Sequence, residues 1–345
     1  MKKAVGILFF TLTFAAVSLQ AEDFTKAVQS ILTQTEAAHP FAVPGSAPGW
    51  FFLRKELEHL QNGDLAKADL SKANKEGTDP LPVIAKYQAA LKDLGVDLLL
   101  VPVPSKAAIY PEKLSDKIDP QSVPSMAGLY AKLKDLGVTV LDLETAFKTE
   151  RAQHPDKQLY CATDSHWSPY ACQLAAQLVA ARLKDLPGLK QTALSKPTTL
   201  PEEILEFHGD LLEEAQRSSI AKEKLPLQRA GEAMAGNAKE VLTVESDPKS
   251  TILAIGDSHL MIFRKGGDML ATQGGFIDHL QVDLGAAIQE IAMQAGGADG
   301  PRREIARATV KDPDFWTAKK VVLWIFTARE FTEGKWKAYP ATLKK

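Results

Sequence analysis

The hexapeptide Leu-Lys-Asp-Leu-Gly-Val occurs twice, at residues 91–96 and again at 133–138. Each copy joins an amphipathic stretch to an apolar one, and this joint restricts the fold more than any other feature. Upstream, Ile84, Tyr87, Leu91 and Leu94 share one face of a helical period, as do Met126, Leu129, Leu133 and Leu136. Gly95 and Gly137 stand where a helix closes on a left-handed residue, a conformation glycine adopts without a Cβ clash. Downstream lie apolar runs at 97–104 and 138–143, and two more occur at 251–255 and 320–326. These runs are too continuously apolar for half-exposed strands. Buried strands alternating with helices specify an α/β fold, its mostly parallel sheet covered on both faces.

Ser168-Pro169 opens a further helix, with Ser168 as N-cap, Pro169 at the first helical position, and Leu174, Leu178 and Ala181 facing inward. Residues 201–216 and 284–309 read as helical, the second interrupted at Gly296-Gly297. Residues 187–200 and 217–249 read as loops. Residues 22–80 are less regular and are expected to pack on a main domain spanning 81–345. The chain is expected to fray from about Gly334.

The first residues read as a secretory leader. Lys2 and Lys3 precede an apolar stretch from Ala4 to Val17, and a small-residue run reaches Ala21 before Glu22-Asp23. That stretch falls short of the roughly 20 residues a spanning helix needs. A signal peptide over 1–21 is therefore expected, with an uncleaved anchor as the alternative. Composition is that of a soluble globular protein, 45% hydrophobic and 24% charged with net charge −2. With no basic block, nucleic acid is not expected as a partner. The 7 histidines show no HExxH pattern and the 2 cysteines no CxxC spacing, so no metal site is expected. Cys161 and Cys172 have two readings, a disulfide in an exported chain or a pair of buried thiols.

Two segments carry chemistry. Ser258 follows an apolar strand behind Gly256, and ligands gather beyond the carboxyl ends of strands in open α/β sheets. There its hydroxyl is exposed and its own N–H can bind an oxyanion. The plainer reading is a helix N-cap. Asp164 and His166 sit on a short loop in which the carboxylate can orient the imidazole; the plainer reading is a structural histidine beside Trp167. Taken together the segments supply an acid, a base and a hydroxyl nucleophile, the set that acyl transfer requires. Four residues are candidates for substrate or oxyanion binding: Gly275 through an unhindered amide, Arg329 and Lys106 as cations at strand ends, and Trp167 as a stacking ring. For each, a structural role is the alternative. His259 follows the serine, but neighbouring side chains diverge and no catalytic role is assigned to it.

The chain resembles the SGNH-hydrolase-like O-acetyltransferases that modify exopolysaccharides in the periplasm, the alginate O-acetyltransferase family. The specific pieces are Asp164-Ser165-His166-Trp167 and Gly256-Asp257-Ser258. Supporting pieces are Gly49-Trp50-Phe51-Phe52, Val101-Pro102-Val103-Pro104-Ser105-Lys106, Tyr110-Pro111-Glu112, Gly209-Asp210-Leu211 and a late strand ending near Arg329. The resemblance implies a three-layer α/β/α catalytic domain over 81–345. It implies Asp164, His166 and Ser258 as a triad in that chain order, whereas ordinary SGNH esterases place the serine motif first. It further implies a periplasmic acetyl transfer through an acetyl-serine onto an alginate-like polysaccharide, no cofactor, and a membrane-bound partner protein that donates the acetyl group. A carbohydrate acetylesterase and a non-catalytic polysaccharide-binding component of an export machinery are the alternatives. One departure is His259, where related proteins more usually carry an aromatic or apolar residue.

Overall fold

A computed structural model of the chain describes residues 23–340 apart from 37, 39, 40, 185, 187, 188, 190–192 and 236, so the leader expected over 1–21 lies outside the described residues. Five strands build the central sheet: β1 (Asp97–Val103), β2 (Thr139–Val140), β3 (Ile252–Gly256), β4 (Gln289–Ala292) and β5 (Val321–Thr327). Their order is β4-β3-β5-β1-β2, and every neighbouring pair is parallel. Alternate residues feed two separate cores. Leu99, Val101, Ala254, Leu323 and Ile325 enter one, while Leu98, Leu100, Leu253, Ile255 and Trp324 enter the other. This period-two split of fully apolar strands is what a sheet buried on both faces requires.

Helices α1 (Pro80–Asp93), α2 (Ala127–Asp135), α3 (Pro169–Lys184), α4 (Phe276–Leu284) and α5 (Asp299–Lys311) cover the sheet. Residues of α3 and α4 pack into the first core, and residues of α1, α2 and α5 into the second. The architecture is the expected three-layer α/β/α. Both hexapeptides make the same joint. Gly95 and Gly137 have φ of 72° and 81°. The N–H of Val96 donates to Leu91 and that of Val138 to Leu133, both at 3.0 Å, while the glycine N–H groups donate to Lys92 and Lys134 at 2.9 Å, so two carbonyls at each helix end are satisfied. Leu94 and Leu136 depart from the expected stripes. Both lie beyond the last regular turn and are exposed.

Other expectations are corrected. Residues 201–216 are not one helix: Glu203–Phe207 is a strand paired antiparallel with Glu223–Leu227, and only Glu214–Arg217 is helical. Residues 284–309 divide at Gly285, whose φ of 64° ends α4 and frees β4 to join the sheet edge. The two stretches read as loops, 187–200 and 217–249, together supply a three-stranded antiparallel sheet of Pro197–Thr199, Ala230–Met234 and Asn237–Leu242. Residues 138–143 give only the two-residue β2, because Asp142 accepts from Thr145 N–H at 3.0 Å and starts a helix at Leu143. The segment before residue 80 has its own apolar cluster, in which Phe24, Val28, Phe52 and Leu57 meet Ala107 and Leu114 just after β1. Among the described residues no helix is long and apolar enough to cross a membrane.

Candidate active site

The turn after β3 is built on a close approach. A Cβ at Gly256 would stand 2.5 Å from the Ile325 carbonyl oxygen on the adjacent β5, so only glycine fits there. Asp257 then accepts from the His259 N–H at 2.9 Å and caps a single 3-10 turn, Ser258–Leu260. Ser258 opens that turn, where an N–H has no acceptor within the turn itself.

A second loop delivers the imidazole. Tyr160 and Trp167 form an antiparallel bridge, and Ser168 Oγ accepts from the Ala171 N–H at 3.1 Å as the N-cap of α3. Between these anchors nearly every polar group of the turn is held. Glu223 accepts from the N–H groups of Ala162 and Thr163 at 2.7 and 3.0 Å. Asp210 accepts from Ser165 N–H and Oγ, both at 2.7 Å, and its own N–H donates to Asp164 Oδ2 at 3.0 Å. A Cβ on Gly209 would lie 2.2 Å from the Thr163 carbonyl oxygen, so this clamp too requires glycine.

The two loops meet. His166 Nε2 lies 2.7 Å from Ser258 Oγ, and His166 Nδ1 lies 2.7 Å from Asp164 Oδ1. The arrangement sets the tautomer: Nδ1–H donates to the carboxylate, leaving Nε2 to accept from the serine. Asp164 and His166 are buried, and Ser258 is half-buried. Burial opposes the charge on both partners, but their attraction and hydrogen bond outweigh it. The Asp164 carboxyl falls to about 2, and the His166 imidazole rises above its ordinary value. An imidazole of this kind accepts a proton readily and keeps it only beside a carboxylate. A cleft of about 500 Å³ opens over Ser258, bordered by Gly296-Gly297, Arg329, Glu330, Lys335 and Lys337.

The donor atoms of Asp164, His166 and Asp210 lie within 4.8 Å of one another, a separation that suits a cation. Both oxygens of each carboxylate already accept N–H or O–H groups, so the cluster reads as a hydrogen-bonded clamp.

Of the four binding candidates, only Arg329 lines the cleft with Ser258. Its Nη1 donates to Glu56 Oε1 at 3.3 Å, and its side chain is 18% exposed. The other three are corrected. Lys106 is fully buried, and its Nζ donates to the carbonyls of Phe51 and Asp164 at 2.7 Å each and of Ala162 at 3.4 Å. It holds the Asp164 loop from below instead of facing a substrate. Trp167 is fully buried, stacked on Phe276 and edge-on to His259, so it offers no face to a sugar. The Gly275 N–H is taken by Asp278 Oδ2 at 3.0 Å, which removes it as an oxyanion donor. Cys161 and Cys172 are free and buried, the thiol reading. Glu223, Asp210 and Glu56 were not among the sequence candidates. Asp210 lay within a quoted motif; Glu223 has no local signal.

Residues 43–328 match the family described as "SGNH hydrolase-like domain, acetyltransferase AlgX". The chain belongs to this family. The O-acetyltransferase domain of Pseudomonas putida AlgJ shares its fold, with a TM-score of 0.61 at 21% identity over 85% of this chain and 92% of that one. Pseudomonas aeruginosa AlgX has a TM-score of 0.56 at 19% identity, covering 83% of this chain and 62% of that one. In sequence, the probable alginate O-acetylase AlgJ of Pseudomonas syringae pv. tomato is 24% identical over 81% of this chain and 66% of its own length. The chain thus spans just under two thirds of that relative's length.

Proposed function

We propose that the protein is an O-acetyltransferase acting on an exported, alginate-like polysaccharide, with Ser258 as nucleophile, His166 as general base and acid, and Asp164 as the carboxylate that orients it. The single observation supporting this reading is the continuous line Asp164–His166–Ser258, two contacts of 2.7 Å ending on a serine at the rim of a cleft. In the first half, Ser258 Oγ bonds to the acetyl carbon and its proton passes to His166 Nε2. The bond to the donor's leaving group then breaks, and that group takes the proton from His166. In the second half, a sugar hydroxyl gives its proton to His166 as its oxygen bonds to the acetyl carbon; the Ser258 ester breaks and the proton returns to Oγ. The Ser258 N–H and the Arg329 guanidinium are suited to bind the oxyanion in both halves.

Exchange of one ester for another has little driving force, so water is the competitor. A bound acceptor prevails because a well-oriented hydroxyl acts at an effective molarity on the order of 10⁵ M. The family's relatives are named for alginate, which supports a polysaccharide acceptor. A periplasmic location and a membrane-bound acetyl-donor partner belong to this proposal.

The test incubates purified protein with a chromogenic acetyl ester, with and without uronate oligosaccharides. Acetylated oligosaccharide by mass spectrometry supports transfer, and loss of the signal by about 10³-fold in Ser258→Ala supports the nucleophile. Free acetate alone, whatever the acceptor, points to the esterase and overturns transfer.

A further inference from the structure

A second acid–imidazole pair flanks the serine. Asp257 Oδ1 accepts from His259 Nδ1 at 3.0 Å and from its N–H at 2.9 Å. The His259 ring lies 4.7 Å from the His166 ring, tilted 49°, while Trp167 meets His259 edge-on at 5.6 Å. His259 is 2% exposed. In-plane contacts from Asp164 and Ser258 fix the edges of His166, but they leave its faces free. His259 supplies a wall there.

We propose that His259, anchored by Asp257, is a positioning residue for His166, its ring forming the surface against which the His166 cation develops during transfer. This rests on the reading of Ser258, His166 and Asp164 as the acetyl-transfer groups. A neutral ring beside His166 keeps water from it, so the imidazolium is less favoured and hands its proton on. A charged ring there would oppose the proton transfer. Burial is the main cause that lowers His259, to about 4, and His166 and Arg329 add to it against the pull of Asp257. His259 is therefore neutral while His166 cycles. The charged and titratable groups acting on His166 are Asp164, Asp210, Asp257 and, more remotely, Glu56; those acting on His259 are Asp257, His166 and Arg329.

The pair acts on His166 in opposite senses, which gives a test. Asp257 raises the imidazole through its charge. In His259→Ala water reaches the His166 face and Asp257 loses its partner, so the acid limb of kcat/KM moves to higher pH. In Asp257→Asn an anion is lost and the limb moves lower. Each displacement is about one to two pH units, as expected for buried charges roughly 6–10 Å apart at an effective dielectric near 20. With a chromogenic acetyl ester as probe, kcat of His259→Ala falls roughly tenfold, and His259→Phe, which restores a ring, recovers part of it. Limbs that stay in place, or shift the same way in both variants, overturn the proposal. If His259→Ala does not fold by thermal melt, His259→Phe carries the test, because it also frees Asp257 and its limb must rise. Activity surviving in Ser258→Ala instead overturns the triad itself, so the two failures are distinct.

Discussion

Replacing Lys106 with Met separates a residue that holds the site from one that binds substrate. Met keeps most of the stem and removes the ammonium. The change leaves the carbonyls of Phe51 and Asp164 without their 2.7 Å donor, and that of Ala162 without its 3.4 Å one. Hydrogen bonds to a charged group contribute about 1.5–3 kcal/mol each. Two good ones come to roughly 3–6 kcal/mol before any offset. Burial lowers the Lys106 pKa despite the nearby Glu56, Glu223 and Asp164, a sign that burying this ammonium is costly. Met recovers that cost in part, so a net loss of about 2–4 kcal/mol follows. For a chain of this size, melting temperature should drop by roughly 3–6 °C. The Phe51 N–H also donates to Ala162 at 2.9 Å, so strand 51–53, Lys106 and the loop loosen together. A shift near 1 Å in Asp164 would cut kcat by on the order of 10². KM should barely change, since Lys106 reaches no solvent. Steady-state kinetics and thermal melts decide the matter. A raised KM with an unchanged melt would refute the argument and return Lys106 to the cleft.

The remaining predictions concern the same loop. His166 must be neutral to accept the serine proton, and Asp164 raises its pKa, so kcat/KM should rise with pH through a value above about 6.5; a limb below that value refutes the pairing. Asp164 has a folded pKa of about 2, below its unfolded value near 3.9. Its contribution to stability is thus fully present above about pH 4 and is lost as pH falls toward 2, which acid melts in Asp164→Asn should no longer show. Gly209→Ala places a Cβ 2.2 Å from the Thr163 carbonyl and 2.4 Å from the Asp164 N–H nitrogen. Backbone must move, costing about 1–3 kcal/mol, with a fall in kcat larger than the fall in stability implies; an active, fully stable variant refutes the clamp.

Much of the scaffold was legible because local physics sets it. A left-handed glycine after a periodic helix and before an apolar run specifies a helix–strand joint wherever it occurs, and both hexapeptides make one. Misreadings fell where the partner was distant. Residues 203–207 carry enough Leu and Ile to pass as helix, and only pairing with 223–227 makes them a strand. Residues 289–292 became an edge strand because β3 offered them a ladder.

At the site the same division holds. Sequence alone determined that a serine would follow a buried strand and that a carboxylate would sit two residues from an imidazole, since short-range turns and strand ends obey nearby residues. It also fixed which side chains were able to exchange a proton. Tertiary structure decided where those side chains point: Lys106 and Trp167 turn inward and Arg329 outward, and Glu223 and Asp210 reach the loop from 61 and 45 residues away. Periodicity reports which face of an element is apolar. A hydrogen bond between remote residues leaves no such period, because it is formed only once the chain has closed on itself.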